Sequence, residues 1–146
     1  MTTGGGRGPL GLAPAGAAPD ASGPGAWIGG PGRVLLDALP AMTVIVDDRG
    51  IIAAANEAWR RFGRENGAGP AVAEGVGQDY FAVCREGRMA GCPQGARAEA
   101  SIARVLRREL PIFTLDYASR GPGDPRWFML TATPLEGGGA VIAHSD

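Results

Sequence analysis

The order of its β-like segments constrains this chain more than any single motif does. Two such segments lie near the front, three close the chain, and only helical patterns fall between them. In front, MTVIVDD (42–48) is apolar and β-branched, Asp47-Asp48-Arg49-Gly50 supplies a turn, and IIAAA (51–55) returns. At the rear, FTLDYAS (113–119) alternates. Phe113, Leu115 and Tyr117 fall on one face, and Thr114, Asp116 and Ala118 on the other. A turn at 121–125 leads to RWFMLTATPL (126–135), and a Gly turn at 137–139 leads to AVIAH (140–144). No strand–helix–strand repeat is present, so a parallel sheet is not supported. The pattern predicts an α+β fold: a five-stranded antiparallel sheet with helices on one face.

The helical segments are short. RVLLDALP (33–40) places Val34, Leu35 and Leu39 on one side and stops at Pro40. Asn56 is a good N-cap for NEAWRRFGREN, in which Trp59 and Phe62 share a face and Gly67 and Gly69 provide the stop. A Gly-rich loop then enters the helical stretch DYFAVCREG. A second loop, GRMAGCPQG, leads to the longest helical pattern, ARAEASIARVLRREL (96–110). There Ala98, Ile102, Leu106 and Glu109 recur at helical spacing, Arg104, Arg107 and Arg108 face water, and Pro111 is the expected stop.

Residues 1–32 are half Gly and Pro, and their apolar residues are mostly Ala. Such a segment cannot recover the entropy of ordering, so it reads as a flexible tail; Trp27 and Ile28 are the exception, a large apolar pair that either docks elsewhere or is a solvated pair in a linker. Order is expected from Arg33, giving one domain over 33–146 in a chain of 146 residues. The net charge of −1 creates no field that would gather nucleic acid or an anionic membrane surface. All 14 basic residues are Arg, which together with the many Ala and Gly reads as genome composition rather than function. No apolar run approaches the roughly 20 residues of a membrane span, and the Gly and Pro near the start break any export signal. A cytoplasmic chain with reduced thiols at Cys84 and Cys92 is the expectation.

The stretches DALPAMTVIVDDRGIIAAANEAW, DYFAVC and RWFMLTATPLEGGGAVIAHSD, in this order, resemble the PAS domain family, and the likeness covers about 110 residues. Bacterial members open with a short helix and Pro, a strand, an acidic-Gly turn, a second strand and an Asn at a helix start. A subgroup in sensor proteins has a similar Tyr-Phe-x-x-Cys segment, Arg-Trp-Phe strand and closing His-x-Asp. The resemblance implies a sheet and helices enclosing a small pocket or a filled core, with dimerisation through the sheet and the N-terminal helix. It also implies signal output into an attached domain, such as a histidine kinase or a cyclic-dinucleotide enzyme. The closing segment that usually leads to output is cut at Asp146, so the chain is expected to be the N-terminal part of a longer sensor.

Catalysis is not indicated. A single histidine, His144, excludes Ser-His-Asp and two-histidine metal arrangements and reads as structural. Relatives that bind haem through a proximal histidine usually carry it on the long helix, and ARAEASIARVLRREL has none. Flavin-adduct relatives use a segment similar to Asn-Cys-Arg-Phe, whereas this chain has Val83-Cys84-Arg85-Glu86. Neither haem nor flavin is therefore implied. Cys84 and Cys92 lie eight apart with no second pair to complete a metal site. They read as a buried apolar residue and a loop residue, with a reversible thiol sensor as an alternative. The acidic residues Asp47, Asp48, Glu57, Asp116 and Asp124 fall mainly at turns. What remains is the core. Trp59, Phe62, Tyr80, Phe81, Ile102, Leu106, Phe113, Leu115 and Leu130 are candidates to line a cavity for a small ligand. The same residues filling the core solidly would leave a ligand-free interaction domain.

Overall fold

Apolar side chains that alternate along a strand need a second layer to cover them, and the helices between the two strand groups supply it. The structure, a computed structural model, describes residues 30–86, 93–119 and 126–146. The elements run α1 (Gly30–Ala38), β1 (Met42–Val46), β2 (Ile52–Ala55), α2 (Glu57–Glu65), α3 (Pro70–Glu74), α4 (Tyr80–Glu86), α5 (Gly95–Leu106), β3 (Phe113–Ser119), β4 (Arg126–Pro134) and β5 (Ala140–Ser145). The strands form one sheet in the order β2-β1-β5-β4-β3, and every neighbouring pair is antiparallel. This is the sheet that the sequence predicts. The last strand enters its centre, so the front hairpin and the rear meander become one layer.

The inner face follows the alternation. Val44 pairs with Ile142, Leu130 with His144, and Leu115 with Leu130, and all are buried in one core. Burying each such aliphatic side chain contributes about 1.5–3 kcal/mol, which outweighs the intrinsic preferences of the short elements. Ala98, Ile102 and Val105 of α5 cover the sheet from the helical side.

Several elements differ from the sequence reading. Helix α1 begins at Gly30, three residues before Arg33, so Gly30–Gly32 form its first turn. Its buried residue is Leu36, whereas Val34, Leu35 and Leu39 form an exposed apolar side. Helix α3 was not legible: it has five residues, opens on Pro70, and buries only Ala73. Helix α5 ends at Leu106, well short of Pro111. Arg108 takes a left-handed conformation (φ 63°), its N–H donates to the Val105 carbonyl, and the Glu109 N–H donates to that of Arg104. This double closure terminates a helix from within and needs no proline. Glu109 therefore lies off the core face and pairs with Arg104 and Arg107. The Trp27–Ile28 pair, residues 1–29, Cys92 and the turn at 121–125 lie outside the described residues.

Candidate functional site

The start of α4 is seated by backbone before any side chain packs. The Ile52 N–H donates to Gln78 (2.9 Å), Gly77 donates to Ile52 (2.8 Å), and Tyr80 donates to Gly50 (2.9 Å), so residues 77–80 run along the free edge of β2. The Asp79 carboxylate then accepts from the Phe81 N–H at 2.9 Å, capping the helix. Gly50 permits this approach: it has φ 85°, and a Cβ there would stand 2.7 Å from the Phe81 ring. Tyr80, first residue of α4, is thereby aimed across the core at the sheet.

It meets His144. The Tyr80 hydroxyl lies 2.9 Å from His144 Nε2, and the Tyr117 hydroxyl, from β3, lies 2.6 Å from Nδ1. His144 sits on β5 between Met42 of β1 and Leu130 of β4 and is 1% exposed. Both phenols are equally enclosed. Trp59 of α2 stands over the group, with ring centroids 6.2 Å from Tyr80 and 6.1 Å from His144. Tyr117 stacks on Phe128 at 5.7 Å, and Phe62 meets Phe128 edge-on at 5.9 Å. The result is a packed aromatic cluster with a polar Tyr80–His144–Tyr117 chain within it.

Trp59, Tyr80, Ile102, Phe113, Leu115 and Leu130 are buried together in the core, and Phe62, Phe81 and Leu106 are partly buried against it. The structure thus brings the sequence-selected residues into one cluster. Sequence reasoning missed Tyr117 and Phe128 as members of the site and gave His144 no partners. A signal was available for each. Tyr117 alternates with Phe113 and Leu115, Phe128 with Leu130, and His144 with Ile142, and all face inward.

A second polar hub fixes the other end of the helical layer. Asn56 is fully buried; its Oδ1 accepts from the N–H groups of Trp59 (3.0 Å) and Thr43 (2.9 Å). Its Nδ2 donates to the carbonyls of Ala41 (2.8 Å) and Leu39 (3.2 Å). Every hydrogen-bonding position of this amide is used. Beside it, Arg60 donates to the Ala55 carbonyl (2.6 Å), to Asp37 (3.1 Å) and to Glu57 (3.1 Å), tying α1 to α2. Partial burial works against the Asp37 charge. The Arg33 guanidinium, the Glu57 N–H and Arg60 outweigh it and hold the carboxyl below its ordinary range. Hydrogen bonds from Arg64 and Arg60 likewise hold Glu57 down.

Cys84 is buried on α4, one turn beyond Tyr80. Among the described residues, no group of three His, Cys, Asp or Glu side chains is placed to hold a metal ion. Nor, among them, is any helix long and apolar enough to cross a membrane.

A family model described as the PAS fold matches residues 36–145. The chain is 36% identical over 117 residues to an uncharacterized 104.1 kDa protein from the hypE 3′ region of Rhodobacter capsulatus. That match takes in 78% of this chain but only 12% of its relative, so the chain spans about an eighth of that protein's length. Among solved structures, it is similar to the PAS domain of BvgS from Bordetella pertussis. The TM-score there is 0.57 and the identity 18%, covering 78% of this chain and 82% of the other. It is similar also to a domain of a sensory box sensor histidine kinase/response regulator from Geobacter sulfurreducens. That match has a TM-score of 0.53 and 18% identity, covering 78% of this chain and 90% of the other.

Proposed function

The chain belongs to the PAS fold family, and on that footing we propose that residues 33–146 are the input module of a cytoplasmic bacterial signalling protein, sensing a small molecule in the core and passing the result to an attached output domain. One observation carries the reading: a polar Tyr80–His144–Tyr117 chain is enclosed among aromatic rings, and it joins the helical layer to the central strand. An all-apolar filling would stabilise the fold at no hydrogen-bonding risk, whereas a buried polar chain supplies orientation for a ligand. A ligand that binds one arrangement of helices and sheet better than another shifts the population seen by the output domain. The Geobacter neighbour is a domain of a sensor histidine kinase/response regulator, which supports the class of output.

The test is native mass spectrometry of the purified chain together with a thermal-shift screen of small metabolites, flavins and haem. A co-purified mass or a concentration-dependent rise in Tm supports the ligand reading. Neither signal from any class would overturn it in favour of a filled-core interaction module.

The second reading has an observation of its own. Val34, Leu35 and Leu39 beside α1, and Trp127 and Met129 on the outer sheet face, are exposed large apolar groups. They fit self-association through sheet and helix, and both readings share a homodimer. Sedimentation of the chain and of Leu35→Asp checks it, the variant being expected as a monomer. A thiol sensor using Cys84 and Cys92 draws less support, because the burial of Cys84 suits a small apolar core residue.

A further inference from the structure

Along an antiparallel strand the backbone groups of alternate residues turn to one neighbouring strand, and those of the residues between turn to the other. The hydrogen bonds of Thr43 fix this alternation for the whole sheet. Its N–H and its carbonyl both meet Asn56, on the β2 side, so those of Val44 point to β5. Val44 stands opposite Ile142, which leaves Ala143 directed to β4. Ala143 stands opposite Thr131, which leaves Leu130 directed to β3, and Leu130 stands opposite Leu115. In β3, therefore, Leu115 and its alternates bond to β4. Thr114, Asp116 and Ala118 turn their N–H and C=O groups off the edge of the sheet.

The fold treats its two sheet edges differently. At β2, residues 77–80 run along the edge and exchange hydrogen bonds with Ile52. At β3, no described residue hydrogen-bonds the outward groups of Thr114, Asp116 and Ala118. The strand also lacks the devices that commonly blunt an edge. It is seven residues long, it contains no Pro or Lys, and its register runs without a bulge from Phe113 opposite Ala132 to Ser119 opposite Arg126. Its one charge is Asp116, which is exposed and has no ion-pair partner among the described residues.

That charge decides what fits. A second copy adding its β3 antiparallel must set one residue opposite itself, because only residues of the same face can stand opposite each other. Centred on Asp116, the pairing engages all three outward residues but puts carboxylate against carboxylate, which is destabilising. Centred on Leu115 or Tyr117, it sets Ala118 or Thr114 against a residue beyond the strand. A segment with a cation at the middle position meets neither penalty. We propose that the β3 edge is a strand-addition site for an extended segment of another protein that places Arg or Lys opposite Asp116. Its backbone pairs with Thr114, Asp116 and Ala118, and its cation neutralises the carboxylate. The site uses the edge of the sheet and not its outer face, so Trp127, Met129 and α1 stay available for self-association. It goes beyond the sensing reading and does not depend on it.

Amide NMR of the full chain tests this with two synthetic strand peptides of alternating Val and Thr, end-capped, one with Arg at its centre and one with Glu. The Arg peptide should shift the Thr114, Asp116 and Ala118 amides, slow their hydrogen exchange, and bind about tenfold tighter than the Glu peptide. In Asp116→Arg the preference should reverse. Ala118→Pro removes an outward N–H and no bond to β4, so it should keep the fold and lose the peptide. Equal affinity for both peptides, shifts elsewhere on the chain, or no binding by either overturns the proposal, as does undiminished binding by a folded Ala118→Pro. Should that variant fail to fold, the charge reversal at the exposed Asp116 decides alone. Protection of these three amides that grows with concentration in the peptide-free chain would assign the edge to a second copy and also defeat it. A metabolite screen that returns nothing leaves these titrations unaffected, so the two proposals fail separately.

Discussion

Replacing Asn56 with alanine removes one side chain and strands several backbone groups at once. The helix cap on Trp59 is lost, which costs about 1 kcal/mol in ordinary caps. The Thr43 N–H, in a residue 1% exposed, keeps no acceptor from position 56, and leaving a buried donor unmade costs about 1–3 kcal/mol. The Leu39 carbonyl also loses its side-chain donor, and the Ala41 carbonyl keeps only the Thr43 hydroxyl, but both sites are partly buried and water can replace the amide. The sum is about 3 kcal/mol, a large share of the roughly 5–15 kcal/mol that holds a domain together. At about 5 °C per kcal/mol for a domain near 100 residues, Tm should fall by about 15 °C. Thermal and urea unfolding followed by circular dichroism measures it. Asn56→Ser is the informative companion: serine caps Trp59 but is too short to reach Thr43 and Ala41 as well, so an intermediate loss is expected. A loss below about 1 kcal/mol for alanine, or full recovery with serine, would mean that Asn56 is a plain surface cap and that the link to β1 contributes nothing.

Arg108 holds a left-handed φ that favours glycine, so Arg108→Gly should stabilise the chain by up to about 1 kcal/mol in urea unfolding; a loss instead would show that its hydrogen bond to the Leu135 carbonyl outweighs the strain. Gly75 has φ 87°, and a Cβ there would stand 2.9 Å from Trp59 Nε1, so Gly75→Ala should cost about 2 kcal/mol; an unchanged midpoint would refute the close approach. Asp37 has its folded pKa lowered below the ordinary 3.8, so its contribution is complete above 3.8 and is lost as pH falls from there through the lower folded pKa. Urea midpoints from pH 7 to about pH 2 should therefore drop more steeply below the ordinary carboxylate range for the parent chain than for Asp37→Asn, and parallel curves would remove Asp37 from the account.

The sheet was legible because its signals are local. Phe113, Leu115 and Tyr117 alternate without interruption, and the structure buries all three while Thr114 and Asp116 face out. The helix ends were less legible, because tertiary hydrogen bonds decide them. Nothing in VLRRELP shows that Arg108 will turn left-handed, and Pro111 offers a more obvious stop. Val34 and Leu35 misled for a different reason: an apolar stripe states only that a face avoids water, and α1 sets Leu36, not that stripe, against the domain. Asn56 could be recognised as a cap from its neighbours. Its bonds to Thr43, Ala41 and Leu39 span 13 to 17 residues and leave no trace in composition or period.

The candidate site was half legible on the same grounds. Apolar lining follows from periodicity, and the sequence-selected residues do meet in one cluster. The polar chain at the centre requires three elements to be placed together, since Tyr80 and His144 are 64 residues apart and Tyr117 and His144 are 27 apart. That separation has a mechanical consequence. Apolar contacts tolerate a sliding of helix over sheet, because they lack direction and depend mainly on area. Hydrogen bonds of 2.6–2.9 Å do not tolerate it, because they weaken steeply once distance and angle are lost. Asn56 anchors the α1–α2 end of the helical layer to β1, and His144 anchors α4 to β5 and β3. Relative motion of helices and sheet is therefore restrained at two points, each a set of buried hydrogen bonds between distant parts of the chain. Asn56 uses both donors and both acceptors of its amide, so sliding α2 over β1 would break several hydrogen bonds at once.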